Sequence, residues 1–277
     1  MNAEHEAPFP PEMVAFYERG SEAARLFRGL GRLELARTTE LLSRFLPPPS
    51  VVVYDVGGGP GVYACRLAAQ GYAVHLVDAM PLHIEQARAA SELQPAHPLA
   101  SCSVGDARAL GAASASADAV LLLGPLYHLT ERADRLAALE EAHRILKPGG
   151  VLLAAGITRY ASALDGLLLE TLADPDFVAI VERDLVDGQH RNPHDDRPYF
   201  TTAFFHRPDE LASEVEVAGF RGCRLLNIEG PGWLMPDFDE RWQDSERREI
   251  LLRVARYLEE VPSLLGIGSH LMAVAWR

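Results

Sequence analysis

Asp55-Val56-Gly57-Gly58-Gly59-Pro60-Gly61 sets a carboxylate two residues ahead of three glycines in alternate positions. Glycines let the backbone turn sharply and approach a ligand within van der Waals reach, and a helix beginning just after them offers free N–H groups. Asp55 can accept a hydrogen bond at the end of the preceding apolar run. Asp78, 23 residues further on, ends a second such run, where a carboxylate can take both hydroxyls of a ribose. A histidine suited to proton transfer near neutral pH, His128, follows a fourth such run, Ala119–Leu123, and the Gly124-Pro125 break. It is the first candidate for a general base, with capping or packing as the competing reading. Second candidates are His190, His194, Asp195, Asp196, Tyr199 and His206. Adjacent residues of an extended loop point apart, so His194-Asp195-Asp196 reads as solvated, and no metal is expected. Trp233 is either an aromatic wall for a flat substrate or a core residue.

These groups need strands to carry them. Val51–Val56, Ala73–Val77, Ser101–Val104, Ala119–Leu123 and Val151–Ile157 are short apolar or β-branched runs. Helical spacing fills the gaps at 61–70, from Pro81 to Leu93 and from Arg132 to Leu146. Alternating strands and helices imply a parallel sheet with right-handed crossovers and ligands at the carboxyl ends of its strands. Residues 11–46 read as helices stopped by Pro47-Pro48-Pro49. After Ile157 the rhythm lapses for about fifty residues, which include the polar stretch Asp187–Pro198, and an inserted lid is expected. Pro208–Ala218 and Glu240–Leu258 are expected helices, the latter packing Trp242, Ile250, Leu251, Val254 and Leu258 inward. Arg224–Ile228 and His270–Trp276 are expected strands. The domain reading is 1–49 helical cover, 50–157 ligand-binding core, 158–207 lid and 208–277 completion of the sheet.

Composition narrows the partners. Thirty-nine acidic against 26 basic side chains give a formal net charge of −13, without a basic run, so nucleic acid is not an expected partner. The three cysteines, Cys65, Cys102 and Cys223, lack any C-x-x-C spacing. No apolar run approaches membrane-spanning length and no secretion signal is visible, so the expected location is cytoplasmic, away from membranes.

Over most of residues 50–157 the sequence resembles the class I S-adenosylmethionine-dependent methyltransferases. Five pieces match in order: Asp55–Gly61, Asp78, Gly105-Asp106-Ala107, Leu123-Gly124-Pro125-Leu126-Tyr127-His128-Leu129, and Arg144-Ile145-Leu146-Lys147-Pro148-Gly149-Gly150. The resemblance implies a Rossmann-like α/β sheet of seven strands with the last antiparallel. It implies S-adenosylmethionine as cofactor and transfer of its methyl group to a small organic acceptor, with O-, N- and C-methylation all open. It implies that Asp55, Gly57 and Gly59 hold the methionine portion and Asp78 the ribose, with Ala79 and Met80 beside it. Asp106 with Ala107 would hold the adenine, and the backbone of Leu123 and Gly124 the amino-acid end. Some bacterial members are similar also in Phe16-Tyr17-Glu18-Arg19-Gly20, Leu33-Glu34-Leu35-Ala36-Arg37 and 200–208, so Tyr17 could pack on the cofactor and Arg37 pair with its carboxylate; an aromatic core residue and a solvated arginine are the alternatives. Two rival functions stay open. Gly59-Pro60-Gly61-Val62-Tyr63-Ala64 also fits the dinucleotide pattern G-x-G-x-x-A of a nicotinamide-dependent oxidoreductase, although His143 four residues before Lys147 excludes the Tyr-x-x-x-Lys type. The other is a non-catalytic adenosyl-ligand-binding protein.

Overall fold

The computed structural model describes residues 10–192 and 199–277. Three helices, α1 (Pro11–Glu18), α2 (Glu22–Arg25) and α3 (Gly31–Phe45), precede an alternating run. That run is β1 (Val52–Val56), α4 (Val62–Ala69), β2 (Ala73–Asp78), α5 (Pro81–Glu92), β3 (Ser101–Val104), β4 (Ala117–Leu122), α6 (Pro125–His128), α7 (Arg132–Ile145) and β5 (Leu146–Thr158). The segment expected to be a lid carries α8 (Ala161–Leu168), α9 (Pro175–Asp187), β6 (Gln189–His190) and β7 (Ala203–His206). Then come α10 (Pro208–Val217), β8 (Arg221–Asn227), α11 (Phe238–Gln243), α12 (Ser245–Leu258) and β9 (His270–Trp276).

The main sheet runs β3-β2-β1-β4-β5-β9-β8, parallel except for β9, which pairs antiparallel with both neighbours. The expected seven-stranded Rossmann-like sheet with an antiparallel last strand is therefore present. Two strands exceed the expectation: β7 pairs with β5 at Ile157 and Thr158, and β6 pairs antiparallel with β7.

Successive residues of the central strands feed opposite faces, as a pleat of period two requires. Val120, Leu122, Leu152, Ala154, Leu271 and Ala273 pack beneath α7 and α10. Ala119, Leu121, Val151, Leu153, Met272 and Val274 pack against α3, α4 and α5. With both faces covered from Ala119 on, β4 has no polar side to show there, which is why Ala119–Leu122 reads as an apolar run; Asp118, before it, is partly exposed and pairs with Lys147.

The helix expected over Glu240–Leu258 is two. Asp244 stops α11 and caps α12, its carboxylate accepting the N–H groups of Glu246 and Arg247 at 2.9 and 3.0 Å. This cap sets the phase of α12 so that Leu251 and Ala255 are buried while Ile250 and Val254 are exposed, contrary to the expected inward face.

The site lies where the sheet order reverses between β1 and β4, at the carboxyl ends of the parallel strands. Because β9 runs the other way, its first residue, His270, arrives at that same end. Among the described residues no helix is long and apolar enough to cross a membrane.

Candidate active site

The glycine loop after β1 makes the turn its sequence demands. Gly57, Gly59 and Gly61 have φ of 70°, 56° and 85°, the left-handed region that glycine enters without penalty. Gly57 also needs its missing side chain for space, since a Cβ would stand 2.6 Å from the Pro125 ring at the start of α6. A Cβ on Gly59 would meet nothing within 4 Å: it faces an open cleft.

Two carboxylates flank the loop. Asp78 accepts the Gly59 N–H at 2.8 Å on Oδ2 and the Met80 N–H at 2.9 Å on Oδ1, with His83 Nδ1 3.0 Å from the same Oδ1. Asp55 is buried, and among the described residues neither of its oxygens has a hydrogen-bond partner. Burial, with the Asp78 charge second, pushes its carboxyl up to about 7, the Ala64 backbone N–H opposing from outside bonding geometry. A buried acid without a partner is a costly arrangement in isolation and suits a site that binds a cationic group.

The cleft has two arms. One is lined by Gly57, Gly59, Asp78, Ala79, Met80, Ala107, Gly124, Tyr17 and His128. The other is lined by Asp55, Gly57, Gly58, Gly59, Leu123 and Gly124 and by Arg25 and Glu34 of the N-terminal helices. A third cavity, of about 510 Å³, opens beneath α8 and α9. Tyr17, Glu22 and Tyr127 line both it and the first arm, and Glu22, Arg25, Glu34, Tyr127 and His270 line both it and the second.

The chain matches the family model described as "Methyltransferase domain" over residues 54–154. Human methyltransferase-like protein 27 is 30% identical over 179 residues, 61% of this chain and 69% of that protein. The ubiquinone/menaquinone biosynthesis C-methyltransferase UbiE of Caulobacter vibrioides is 28% identical over 203 residues, 68% of this chain and 75% of its own length. The chain belongs to the class I S-adenosylmethionine-dependent methyltransferases. Its fold is shared by an S-adenosylmethionine-dependent methyltransferase from Mesorhizobium loti, with a TM-score of 0.59 at 17% identity over 88% of this chain and all of the other. The enzyme takes its methyl group from S-adenosylmethionine, which decides the donor against the nicotinamide reading.

The structure gathers the residues that the resemblance assigned to the cofactor, with two exceptions. Arg37 was expected to pair with the cofactor carboxylate or to be solvated, and it does neither. It is wholly buried, donates to the Ile228 carbonyl at 3.1 Å and pairs with Glu40 and Glu259, because its position on α3 turns it toward the C-terminal helices. Asp106 does not line the cleft that Ala107 lines: Arg108, two residues on, holds its carboxylate through Nε and Nη2, the latter at 2.6 Å.

His128 lines the cofactor cleft rather than the third cavity. Its Nε2 and the Tyr17 hydroxyl share a hydrogen bond of 2.6 Å, and burial, against the pull of Asp78, pushes its imidazole down to about 4. It is neutral at physiological pH and a poor base. His206 packs on β7 with Nε2 3.3 Å from Glu214, away from every cavity described. His190 and Tyr199 do line the third cavity, but His190 is held by Asp184 at 2.9 Å and the Tyr199 hydroxyl donates to Asp174 at 2.7 Å. His194, Asp195 and Asp196 lie outside the described residues. Trp233 is buried, with Nε1 donating to the Ile267 carbonyl, and it also lines the third cavity.

Sequence reasoning missed a chain of charges at the junction. Arg25 on α2 donates to both oxygens of Glu34 at 2.5 and 3.0 Å and to Glu22 at 2.8 Å. Across from them Glu229, just after β8, holds the His270 ring nitrogen Nδ1 at 2.6 Å and accepts the His270 backbone N–H at 3.0 Å. Glu34, Glu229 and His270 bring side-chain atoms within 4.8 Å of one another. Burial would lower His270 and raise Glu34, yet Glu229 and Glu34 leave His270 raised against the opposing charge of Arg25, and Arg25 and His270 leave Glu34 lowered.

Proposed function

We propose that the enzyme methylates a small, flat organic acceptor bound in the cavity beneath residues 158–207, which act as a lid, with residues 1–49 as a cover over the cofactor. The observation that carries this reading is the roughly 510 Å³ cavity, walled by Phe177, Tyr199, Phe200, Phe205 and Trp233 and continuous with the cofactor cleft. Its volume is that of a small-molecule site, and aromatic walls favour a flat partner. The relatives named for ubiquinone/menaquinone biosynthesis support an acceptor of that shape.

The residues present fit an adenosyl ligand. Asp78 keeps a lone pair on Oδ2 for a ribose hydroxyl, with Ala79, Met80 and Ala107 lining the same arm. Asp55 is the group suited to the ammonium of the methionine end, beside Gly57, Gly59, Leu123 and Gly124. Arg25, lining that arm, replaces Arg37 as the cation near the carboxylate. When bound, the sulfonium supplies an electrophilic methyl group for in-line displacement. The protein's part is to hold the acceptor in line and to keep water out. Tyr17 and His128, neutral and hydrogen-bonded to each other, close the cleft from above, which makes His128 a positioning residue.

The test is to incubate the enzyme with methyl-labelled S-adenosylmethionine and a fractionated cell extract. Label in the small-molecule fraction is expected; label confined to protein or nucleic acid would refute the reading.

A further inference from the structure

We propose that His270, oriented by Glu229, accepts the proton of a hydroxyl-bearing methyl acceptor; this deepens the small-acceptor reading and rests on it. Three observations carry the proposal. His270 opens the one antiparallel strand of the seven-stranded main sheet, so the topology delivers it to the cofactor end of the sheet, where it lines both the acceptor cavity and the arm beside the glycine loop. Its orientation is fixed: Glu229 holds Nδ1 at 2.6 Å and the backbone N–H of the same residue at 3.0 Å. A carboxylate on Nδ1 selects the tautomer whose Nε2 carries the free lone pair, the arrangement a general base needs. His270 is also the cavity histidine with no other partner assigned, since His190 has both ring nitrogens engaged, by Asp184 and the Phe200 carbonyl.

The charges around it suit an acceptor that gives up a proton. Glu22 and Glu34 share Arg25, and Glu229 accepts from Nδ1. The imidazolium formed in the step is stabilised by the two carboxylates that face it, Glu229 and Glu34. The groups facing His270 are thus Glu229, Glu34 and Arg25.

In the step itself, the acceptor O–H proton passes to His270 Nε2 while the oxygen forms its bond to the methyl carbon. The carbon–sulfur bond breaks with its electron pair left on sulfur. The products are the methyl ether, S-adenosylhomocysteine and an imidazolium that returns its proton to water. His128 lies in the other arm and does not line the acceptor cavity, and its Nε2 is engaged by Tyr17.

The experiment uses 4-nitrophenol, a hydroxyl probe whose own ionisation lies near that of imidazole and whose phenolate is coloured. It is titrated with pH in the complex of the full-length enzyme with S-adenosylhomocysteine. Bound to the wild type, the probe should ionise about tenfold more readily than in water, and His270→Gln should abolish that gain while S-adenosylhomocysteine still binds. Glu229→Gln should remove part of it. On the wild type alone, side-chain NMR should show His270 becoming imidazolium as the probe binds. Equal ionisation in the wild type and His270→Gln, an unmoved His270 signal, or no probe binding with S-adenosylhomocysteine in place overturns the proposal. The parent reading fails separately, if label reaches macromolecules only; small-molecule transfer that persists unchanged in His270→Gln sinks this proposal alone.

Discussion

Asp55 is the group whose replacement tests the site most directly, because its binding value and its cost to the unliganded fold have opposite signs. Its carboxyl is buried without a hydrogen-bond partner among the described residues and is pushed to about 7 from an ordinary 3.8. A folded-state pKa above the unfolded one means that the folded protein holds a proton the unfolded chain has released. That contribution is fully present below pH 3.8 and is lost as pH rises through 7. Integrating between pH 5 and pH 8 gives a loss of about 2.5 kcal/mol from this one group, at 1.36 kcal/mol per unit. Asp55→Asn cannot titrate, so it should lose about 2.5 kcal/mol less than the wild type over the same interval. Taking the difference between the two proteins cancels the other titrating groups and the fixed cost of a buried amide. Urea denaturation of both unliganded proteins at pH 5 and pH 8 measures it. The same variant should bind S-adenosylmethionine more weakly, and the wild type should gain affinity from pH 6 to pH 8 as the ligand draws Asp55 into its ionised form. Identical pH dependence of stability in the two proteins would refute the buried, protonated Asp55, and unchanged affinity would refute its pairing with the ligand.

Asp78→Asn leaves one oxygen and turns an amide against a backbone N–H it now accepts from, so calorimetry should show S-adenosylhomocysteine affinity falling by roughly 10- to 100-fold, the worth of one charge-assisted hydrogen bond. Gly57→Ala forces a side chain into the left-handed region and against Pro125, and a lowered melting temperature together with weaker cofactor binding is expected; a variant as stable as the wild type would show that the loop yields freely. Glu214 receives Arg135 at 2.7 and 2.9 Å beneath the Phe204 ring, and although burial would raise its carboxyl, His206 and Arg135 hold it at about 2. Its stabilising contribution is therefore present above the ordinary carboxylate range and lost as pH falls toward 2, and Glu214→Gln should cost roughly 3–5 kcal/mol near neutrality by stranding Arg135, measured by denaturant unfolding. Tyr17→Phe removes one partner of His128; NMR should show the His128 resonances move and cofactor affinity fall severalfold, whereas an unaffected His128 would detach α1 from the site.

The parts of the molecule most legible in the sequence are those whose residues answer to local rules. The glycine loop is readable because glycine takes its backbone angles without strain, and Ala119–Leu122 of β4 because a strand segment buried on both faces is apolar. Asp55 and Asp78 followed from their places at strand ends. The cofactor residues that were misjudged failed over which way a side chain points after tertiary packing. Arg37 and Arg25 are both helical arginines near the N-terminus, and nothing local says that the first is swallowed by Glu40 and Glu259 while the second lines the cofactor arm. Asp106 was lost to a neighbour two residues away, a contact that Asp-x-Arg permits but does not require. The break at Asp244 did have a local signal, since Asp244-Ser245-Glu246 can begin a helix as readily as continue one.

His270 was invisible for a different reason. A histidine at the start of a strand carries no pattern, and its partner lies 41 residues earlier. What makes it matter is the reversal of one strand. Six strands of the main sheet present their carboxyl ends to the cofactor; β9 presents its amino end, and so brings a histidine at the beginning of a strand to the end of the sheet where the other strands present the residues that follow them. Glu229 then arrives from the end of the adjacent β8 by the ordinary route, and the pair meets because neighbouring antiparallel strands put the start of one beside the end of the other. The antiparallel strand thus does more than complete the sheet: it is the device by which residues far apart in the chain, and from opposite strand polarities, are made to share the junction between donor and acceptor.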